Sequence, residues 1–466
     1  MLVTFGCLLH DIGKMSYRTG IRCKHSQLGY DVVQQVFGES VPQPILDCVR
    51  WHHSDAIRAD RPECDNIAYI ACIADNISSA ADRREEGDGT GFDPNLPLSP
   101  IFLHLNQTET NGSRVSVEAT TQSGELQLPY LENARLDKHN YKALLRHLKE
   151  ELGNLQPTEE WLNSLLAVME TFTANIPAST SRGESPDISL FDHLKTTAAI
   201  GACISEYLRD AQQTDYHAAL FKKQGQAAFW DTEAFLLYSA DFSGIQKFIY
   251  TISSENALRT LRSRSFFLDF LMEHYVDELL TVCGVSRANL LYSGGGHCYL
   301  LLPNTAPVRK AADAWNTRFN EWLFDEFGTQ LFLAHGYTAC TANQLTNTPA
   351  KDTPYKQMFR RVSAAIAQHK LHRVTAQQLR RLNQQPLGDQ GRECRICGRT
   401  TTLMKNRERC YWCGRFEDIS NKIQDCSVYV VSNQPSPLAN FSLPGATKDK
   451  VYICMTNQIE ARSLME

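Results

Sequence analysis

The stretch "CLLHDIGK", residues 7–14, sets His10 beside Asp11 and follows them with Gly13 and Lys14. An adjacent His-Asp pair presents an imidazole and a carboxylate to one divalent metal. The same letters also read as a plain helix end, with Gly13 as the stop and Lys14 complementing the dipole. Matching ligands downstream would separate the two readings. Downstream stand His25 in "KHSQLGY", His52 and His53 in "RWHHSD", and Asp75 in "CIADNISS". Residues 1–85 carry apolar side chains at three- and four-residue spacing, which predicts helices throughout. Asp75 falls in an Ala/Ile-rich helix, where an uncompensated carboxylate is costly. A buried metal would offset that cost, as would an arginine partner or a capping role. The ordered set predicts a metal site built from His10, Asp11, His25, His52, His53 and Asp75.

This set resembles the HD phosphohydrolase superfamily. The resemblance implies one or two divalent ions (Mn, Ni, Co or Mg) that activate water against a phosphate ester. Lys14 would either neutralise the phosphate or complement a helix end. The superfamily places a histidine helix before the His-Asp helix, and only nine residues precede His10. "FDHLKTTAAIGACI", residues 191–204, looks like that helix and carries His193. The HD fold would then be circularly permuted. Asp192-His193 reads equally well as an ordinary helix start, since Asp is a good N-cap.

The chain has 466 residues, room for about three domains. Net charge is −5, which excludes a uniformly basic nucleic-acid binder. Residues 356–381 nevertheless hold seven Lys and Arg and no acid, a solvated helix face or a nucleic-acid contact. No apolar run approaches a membrane span, and residues 2–9 lack the basic flank of a signal peptide. The 15 cysteines include two CxxC pairs and many isolated members, a pattern of a reducing cytoplasm.

Residues 86–136 are rich in turn formers around short alternating runs and predict a small β-hairpin in a linker. Helices return at 139–175 and 190–212. Residues 235–337 then run strand, helix, strand, strand, helix, strand: βαββαβ, the ferredoxin-like order. Polymerase and cyclase palms share it, with metal-binding carboxylates on the first strand and on the turn between the second and third. Here the first strand ends in Asp241, and the turn is "SGGGH", residues 293–297, without a carboxylate. The triple glycine either lets a nucleotide approach the backbone or is simply a hairpin turn. "CRICG" and "CYWCG" place Cys394, Cys397, Cys410 and Cys413 as two CxxC pairs, a four-cysteine zinc signal of structural type. "CSVYVVS" and "KDKVYICMT" predict strands with no evident partner set.

The expected fold is therefore multidomain α and α+β. A helical HD-type domain occupies 1–110. A linker with hairpin and helices follows at 111–215. A ferredoxin-like palm takes 216–350, basic helices with a zinc ribbon 351–425, and the start of a further α+β domain 426–466.

Several stretches, in this order, resemble the large catalytic subunit of type III-A CRISPR effector complexes: "LLHDIGK", "DISLFDHLKTTAA", "SGIQKFIY", "LRSRSFFLDFL", "LLYSGGGHCYLLLP" and "CRICG". The resemblance implies a cytoplasmic subunit that works with guide RNA, target RNA and other effector subunits. Its HD domain would cut single-stranded DNA, with His10, Asp11 and Lys14 as catalytic residues. Its paired palms would convert ATP into cyclic oligoadenylates, with Asp241, Ser243, Gly244, Ser293, Gly294 and Gly295 touching nucleotide. The Gly-Gly-Asp-Asp turn of the family's second palm is absent, so the sequence reads as a fragment or a truncated product, and cyclase activity is not expected of it alone. Two other functions fit parts of the sequence. A stand-alone HD nucleotide phosphohydrolase would cleave free nucleotides and ignore polymers. A non-catalytic scaffold would cleave neither.

Overall fold

The computed structural model describes residues 1–82, 91–99, 114–115, 131–132, 138–251, 257–384, 392–401, 403–404, 408–457 and 461. Helices α1 (Leu2–Leu9), α2 (Gly13–Arg18), α3 (His25–Phe37), α4 (Gln43–Arg50), α5 (Ser54–Asp60) and α6 (Ala68–Asp82) form the N-terminal unit. Most of residues 86–136, predicted to hold the linker hairpin, lie outside the described set. Within it, β1 (Arg114–Val115) pairs antiparallel with β2 (Leu131–Glu132). Helices α7 (Lys138–Leu152), α8 (Leu162–Thr173) and α9 (Leu190–Asp210) follow.

Helix α9 returns to the N-terminal unit and packs on α1 and α6. The sequence explains its close seat. "TTAAIGAC" puts small residues on the contact face, and a Cβ at Gly201 would lie 2.9 Å from the Cys7 sulfur. Ser189 caps the helix, its hydroxyl accepting from the Asp192 backbone N–H at 3.0 Å.

Gly13 does not end a helix. It opens α2, and its role is close approach: a Cβ there would stand 1.8 Å from the His25 carbonyl oxygen and 2.5 Å from the Gly29 nitrogen. The dipole reading of Lys14 falls with it, because Lys14 lies in the first turn of α2.

The palm is a four-stranded antiparallel sheet of order β4-β5-β3-β6, from β3 (Phe235–Ser243), β4 (Leu290–Gly294), β5 (His297–Pro303) and β6 (Phe332–Cys340). Helices α10 (Ala257–Cys283) and α11 (Ala306–Phe327) complete the βαββαβ order and bury one face. The other face packs on α9 and on α12 (Pro354–Lys370), so the core of the helical unit runs on into Phe235, Leu237 and Leu301 of the sheet. Strand β3 extends past Asp241 to Ser243, because Phe242 and Ser243 still pair with Leu333 and Phe332. The basic segment continues in α13 (Ala376–Gln384).

The cysteine module joins β7 (Arg392–Glu393) and β8 (Thr400–Thr401) to α14 (Tyr411–Lys422). The C-terminal strands do have partners. Strand β11 (Lys450–Thr456) pairs with both β9 (Val428–Ser432) and β10 (Phe441–Pro444), so "FSLP" supplies the third strand that hydropathy alone left unassigned. Among the described residues no helix is long and apolar enough to cross a membrane.

Candidate metal and nucleotide sites

The chain path from α1 into α2 turns at His10-Asp11-Ile12 and aims the first two side chains inward. His10 is wholly buried, and its Nδ1 lies 2.6 Å from the Cys7 carbonyl oxygen. A carbonyl only accepts, so Nδ1 carries a proton and Nε2 is the nitrogen that turns to the cluster. That Nε2 faces Asp11 Oδ2 at 3.4 Å and Asp75 Oδ1 at 3.6 Å and has no hydrogen-bond partner. His52 repeats the device: its Nδ1 donates to the Val49 carbonyl at 2.8 Å, and its Nε2 faces His25 Nε2 at 3.3 Å. His53 Nε2 lies 2.7 Å from the same His25 nitrogen.

Asp11 stands between the two groups. Its Oδ2 lies 3.4 Å from the Nε2 atoms of both His10 and His193. Its Oδ1 lies 3.3 Å from His25 Nε2 and 3.6 Å from His52 Nε2. Two sets of three donors result, His10–Asp11–His193 and His25–His52–His53, each with its ligand atoms within 4.8 Å of one another. Asp75 joins the first set, 3.1 Å from His193 Nε2.

The electrostatics follow from burial and crowding. Burial disfavours charge on His10, but the Asp11 and Asp75 carboxylates outweigh it and raise its pKa to about 9. His193 is likewise raised against its burial, by Asp11, Asp75 and Asp82. His52 has no such excess of carboxylate; burial and then His53 push it well below the usual imidazole range. Burial works against ionised Asp11, yet Lys14 and His10 hold it well below the usual carboxylate range. The set accordingly offers two buried carboxylates and converging imidazole Nε2 atoms; a divalent transition metal would take the place of the protons that the carboxylates draw onto His10 and His193. Bare lone pairs facing each other at 2.7 Å are repulsive unless a proton or a cation lies between them, so the residues fit such an ion.

All the predicted HD-site residues therefore meet at one place. Lys14 also arrives, but its Nζ pairs with Asp11 Oδ2 at 2.5 Å and donates to the Ala178 carbonyl at 2.9 Å. A cleft of about 490 Å³ opens beside the cluster, with Lys14, Lys24, Ser179 and Thr180 on its walls. Sequence reasoning missed Asp82, whose Oδ2 lies 3.3 Å from His193 Nδ1. Its signal was present: it stands two turns after Asp75 on the same helix.

In the palm, Asp241 faces His297 across the β3–β5 ladder, with 3.5 Å between Oδ1 and Nδ1. Lys370 from α12 forms an ion pair with its other oxygen. Ser293 donates to Glu273 Oε1 at 2.8 Å, and Gly294 pairs with His297 at the start of the glycine turn, which continues through Gly295. Ser243 ends β3. Gly244 opens the next turn at φ +96°, where a Cβ would meet the Gln330 carbonyl oxygen at 1.9 Å; packing alone therefore accounts for this glycine.

Cys394, Cys397, Cys410 and Cys413 also converge, all four sulfurs within 4.8 Å. A zinc–sulfur bond of about 2.3 Å implies tetrahedral sulfur separations near 3.8 Å, and Cys397 and Cys410 stand 3.8 Å apart. The Cys410 backbone N–H donates to Cys394 Sγ at 3.3 Å, and buried Arg264 donates to Cys413 Sγ at 3.5 Å.

A helical His-Asp metal cluster followed by a ferredoxin-like palm and a four-cysteine knuckle defines an HD-type domain fused to a palm. The HD domain model matches residues 2–80, and the model described as Csm1 subunit domain B matches residues 234–385. The chain is 38% identical over 460 residues to the CRISPR system single-strand-specific deoxyribonuclease Cas10/Csm1 (subtype III-A) of Mycobacterium tuberculosis, covering 90% of this chain and 56% of that protein. It is 36% identical to the protein of the same name in Enterococcus italicus, covering 92% and 58%. The chain belongs to the Cas10/Csm1 family of subtype III-A, and it spans somewhat more than half the length of these relatives. Its fold also matches a Csm1-Csm4 cassette in complex with pppApA (TM-score 0.71, 21% identity, 98% of this chain and 55% of that one). Csm1 in T. onnurineus matches with a TM-score of 0.61 at 25% identity, over 79% of this chain and 49% of that one.

Proposed function

We propose that the helical unit is a nuclease domain that hydrolyses single-stranded DNA with divalent metal held by His10, Asp11, His25, His52, His53, Asp75 and His193. The observation that carries this is the division of the two Asp11 oxygens between two groups of imidazoles, the arrangement of a carboxylate shared by two ions. Metal bound there would lower the pKa of a coordinated water and offset phosphate charge. The protein's own part is to fix the donors. Cys7 and Val49 hold the tautomers of His10 and His52, burial keeps His52 neutral, and Lys14 keeps Asp11 ionised. In this reading His193 supplies the histidine helix of an HD fold whose first helix comes late in the chain.

The relatives' name supports the substrate, and the solved Csm1-Csm4 subcomplex of a type III-A interference complex supports a Csm4-like neighbour; a cytoplasmic location and work with guide and target RNA are proposed on the family resemblance alone. We assign the four cysteines to structural zinc. The palm would contribute Asp241, Ser243, Gly244, Ser293, Gly294 and Gly295 to an ATP pocket only alongside a second palm. Incubating the 466-residue chain with labelled single-stranded DNA and Mn, Ni, Co or Mg tests the nuclease. Short fragments should appear with the native chain and vanish with His10→Ala/Asp11→Ala. Equal cleavage by the double variant, or hydrolysis of free nucleotides alone, would overturn the assignment.

A further inference from the structure

We infer that Asp82 is a positioning residue for the metal cluster, acting through His193. The inference rests on the reading of His193 as a ligand. His193 is buried, and its two ring nitrogens face different groups. Nε2 looks into the cluster, 3.1 Å from Asp75 Oδ1 and 3.4 Å from Asp11 Oδ2. Nδ1 looks away from it, 3.3 Å from Asp82 Oδ2 and 3.3 Å from Ser78 Oγ. For Nε2 to offer a lone pair to a metal, the proton must reside on Nδ1, and Nδ1 then needs an acceptor. Asp82 is that acceptor. Ser78 Oγ stands at the same distance and can also accept, its own proton going to Asp82 Oδ2 at 3.3 Å or to Thr196 Oγ1 at 2.8 Å. The carboxylate is the stronger acceptor because it is charged.

Asp82 is the last described residue of α6. Among the described residues its ion pair is with His193. His10 and His52 have their tautomers set by the backbone carbonyls three residues before them. His193 lies inside α9, where the preceding carbonyls serve the helix ladder, so a side chain from another helix must do that work. An acceptor of this kind typically changes metal affinity about 10- to 100-fold when removed.

The test is titration of Mn²⁺ into the full chain by calorimetry, with the melting temperature of the metal-free protein measured in parallel. Asp82→Ala should weaken the ion bound by His10, Asp11 and His193 about 10- to 100-fold and leave the ion at His25, His52 and His53 unchanged. Asp82→Glu should recover most of the affinity. Asp82→Asn, which keeps shape and an acceptor but not the charge, should fall between. Ser78→Ala should cost less than Asp82→Ala. Native affinity in Asp82→Ala alongside a lost ion in His193→Ala would overturn the positioning role and leave the site reading intact. Native affinity in His193→Ala as well would overturn the site reading itself. Equal weakening of both ions with a lower metal-free melting temperature, unrelieved by Glu, would mark Asp82 as structural only and also overturn the inference.

Discussion

Lys370 reaches from the C-terminal end of α12 to form an ion pair with Asp241 on the face of the palm sheet that packs on that helix. Asp241 stands where a palm polymerase would place a metal-binding carboxylate, and His297 is its other neighbour, 3.5 Å away. Lys370 and His297 pull its pKa down against the effect of partial burial, so the carboxylate is ionised but already paired. Two-metal phosphoryl transfer needs ions about 4 Å apart, clamped by carboxylates. The glycine turn offers none.

The chain alone is therefore expected to make no cyclic oligoadenylate from ATP and Mg²⁺. Lys370→Ala should not change that, because freeing one carboxylate does not supply the second. Liquid chromatography with mass detection of the products decides the point. Oligoadenylates from either protein would show the single palm to be catalytic.

Zinc should follow the cysteines and not the HD cluster. Metal analysis of freshly purified protein should find about one zinc per chain, retained in His10→Ala/Asp11→Ala and lost in Cys394→Ser/Cys410→Ser. Arg264→Ala should loosen the same knuckle. Its guanidinium donates to the Phe248 carbonyl at 2.6 Å as well as to Cys413, and it lies over the Phe248 and Phe416 rings. Faster zinc loss to a chelator in Arg264→Ala would register this. A native rate would show that the contact is incidental.

The parts of this site that were legible in the sequence are those carried by residue type and order. His10, Asp11, His25, His52, His53 and Asp75 could be listed because few roles other than metal binding explain such a set in apolar helices. Their partition into two groups around Asp11 was not legible, since it depends on the angle between α2 and α3 that Gly13 permits. Asp82 was hidden because one acid on a helix is unremarkable until the partner across the interface is known. The βαββαβ palm was readable from alternating period and turn glycines. Strands β9, β10 and β11 were not assembled, because "FSLP" is too short to announce a strand and owes its state to pairing with β11.

Phe267 should be among the costliest side chains to truncate. It is fully buried, and its ring lies 5.0 Å from Trp412, 5.1 Å from Phe416 and 5.7 Å from Phe441, so it joins the palm helix α10 to the cysteine module and to the C-terminal sheet. Phe267→Ala is expected to cost about 3–5 kcal/mol. Chemical denaturation should show that loss, and limited proteolysis should release the region after residue 391 first. A loss below about 1 kcal/mol would mean that the three units do not share a core there.

The palm should also carry a definable acid sensitivity at His335. Burial, and then the charge of neighbouring His369, lower its pKa to about 3. Its Nδ1 is buried without a hydrogen-bond partner, and Asp313, 3.9 Å from Nε2 and half exposed, does not offset the burial. Above pH 6.5 the ring is neutral in folded and unfolded chains alike and does not bias the equilibrium. Between pH 6.5 and about 3 the unfolded chain takes up a proton that the folded chain refuses, so stability falls as pH falls. Each pH unit in that window is worth up to about 1.4 kcal/mol, which gives about 2–3 kcal/mol between pH 6.5 and 4.5. His335→Phe keeps a ring of similar size, sacrifices no side-chain hydrogen bond at Nδ1 and cannot be protonated. It should match or exceed the native protein at pH 7.5 and lose about 2–3 kcal/mol less on acidification to pH 4.5, every other titrating group being common to both. Urea midpoints at the two pH values measure the difference, and parallel losses in the two proteins would place the acid sensitivity elsewhere.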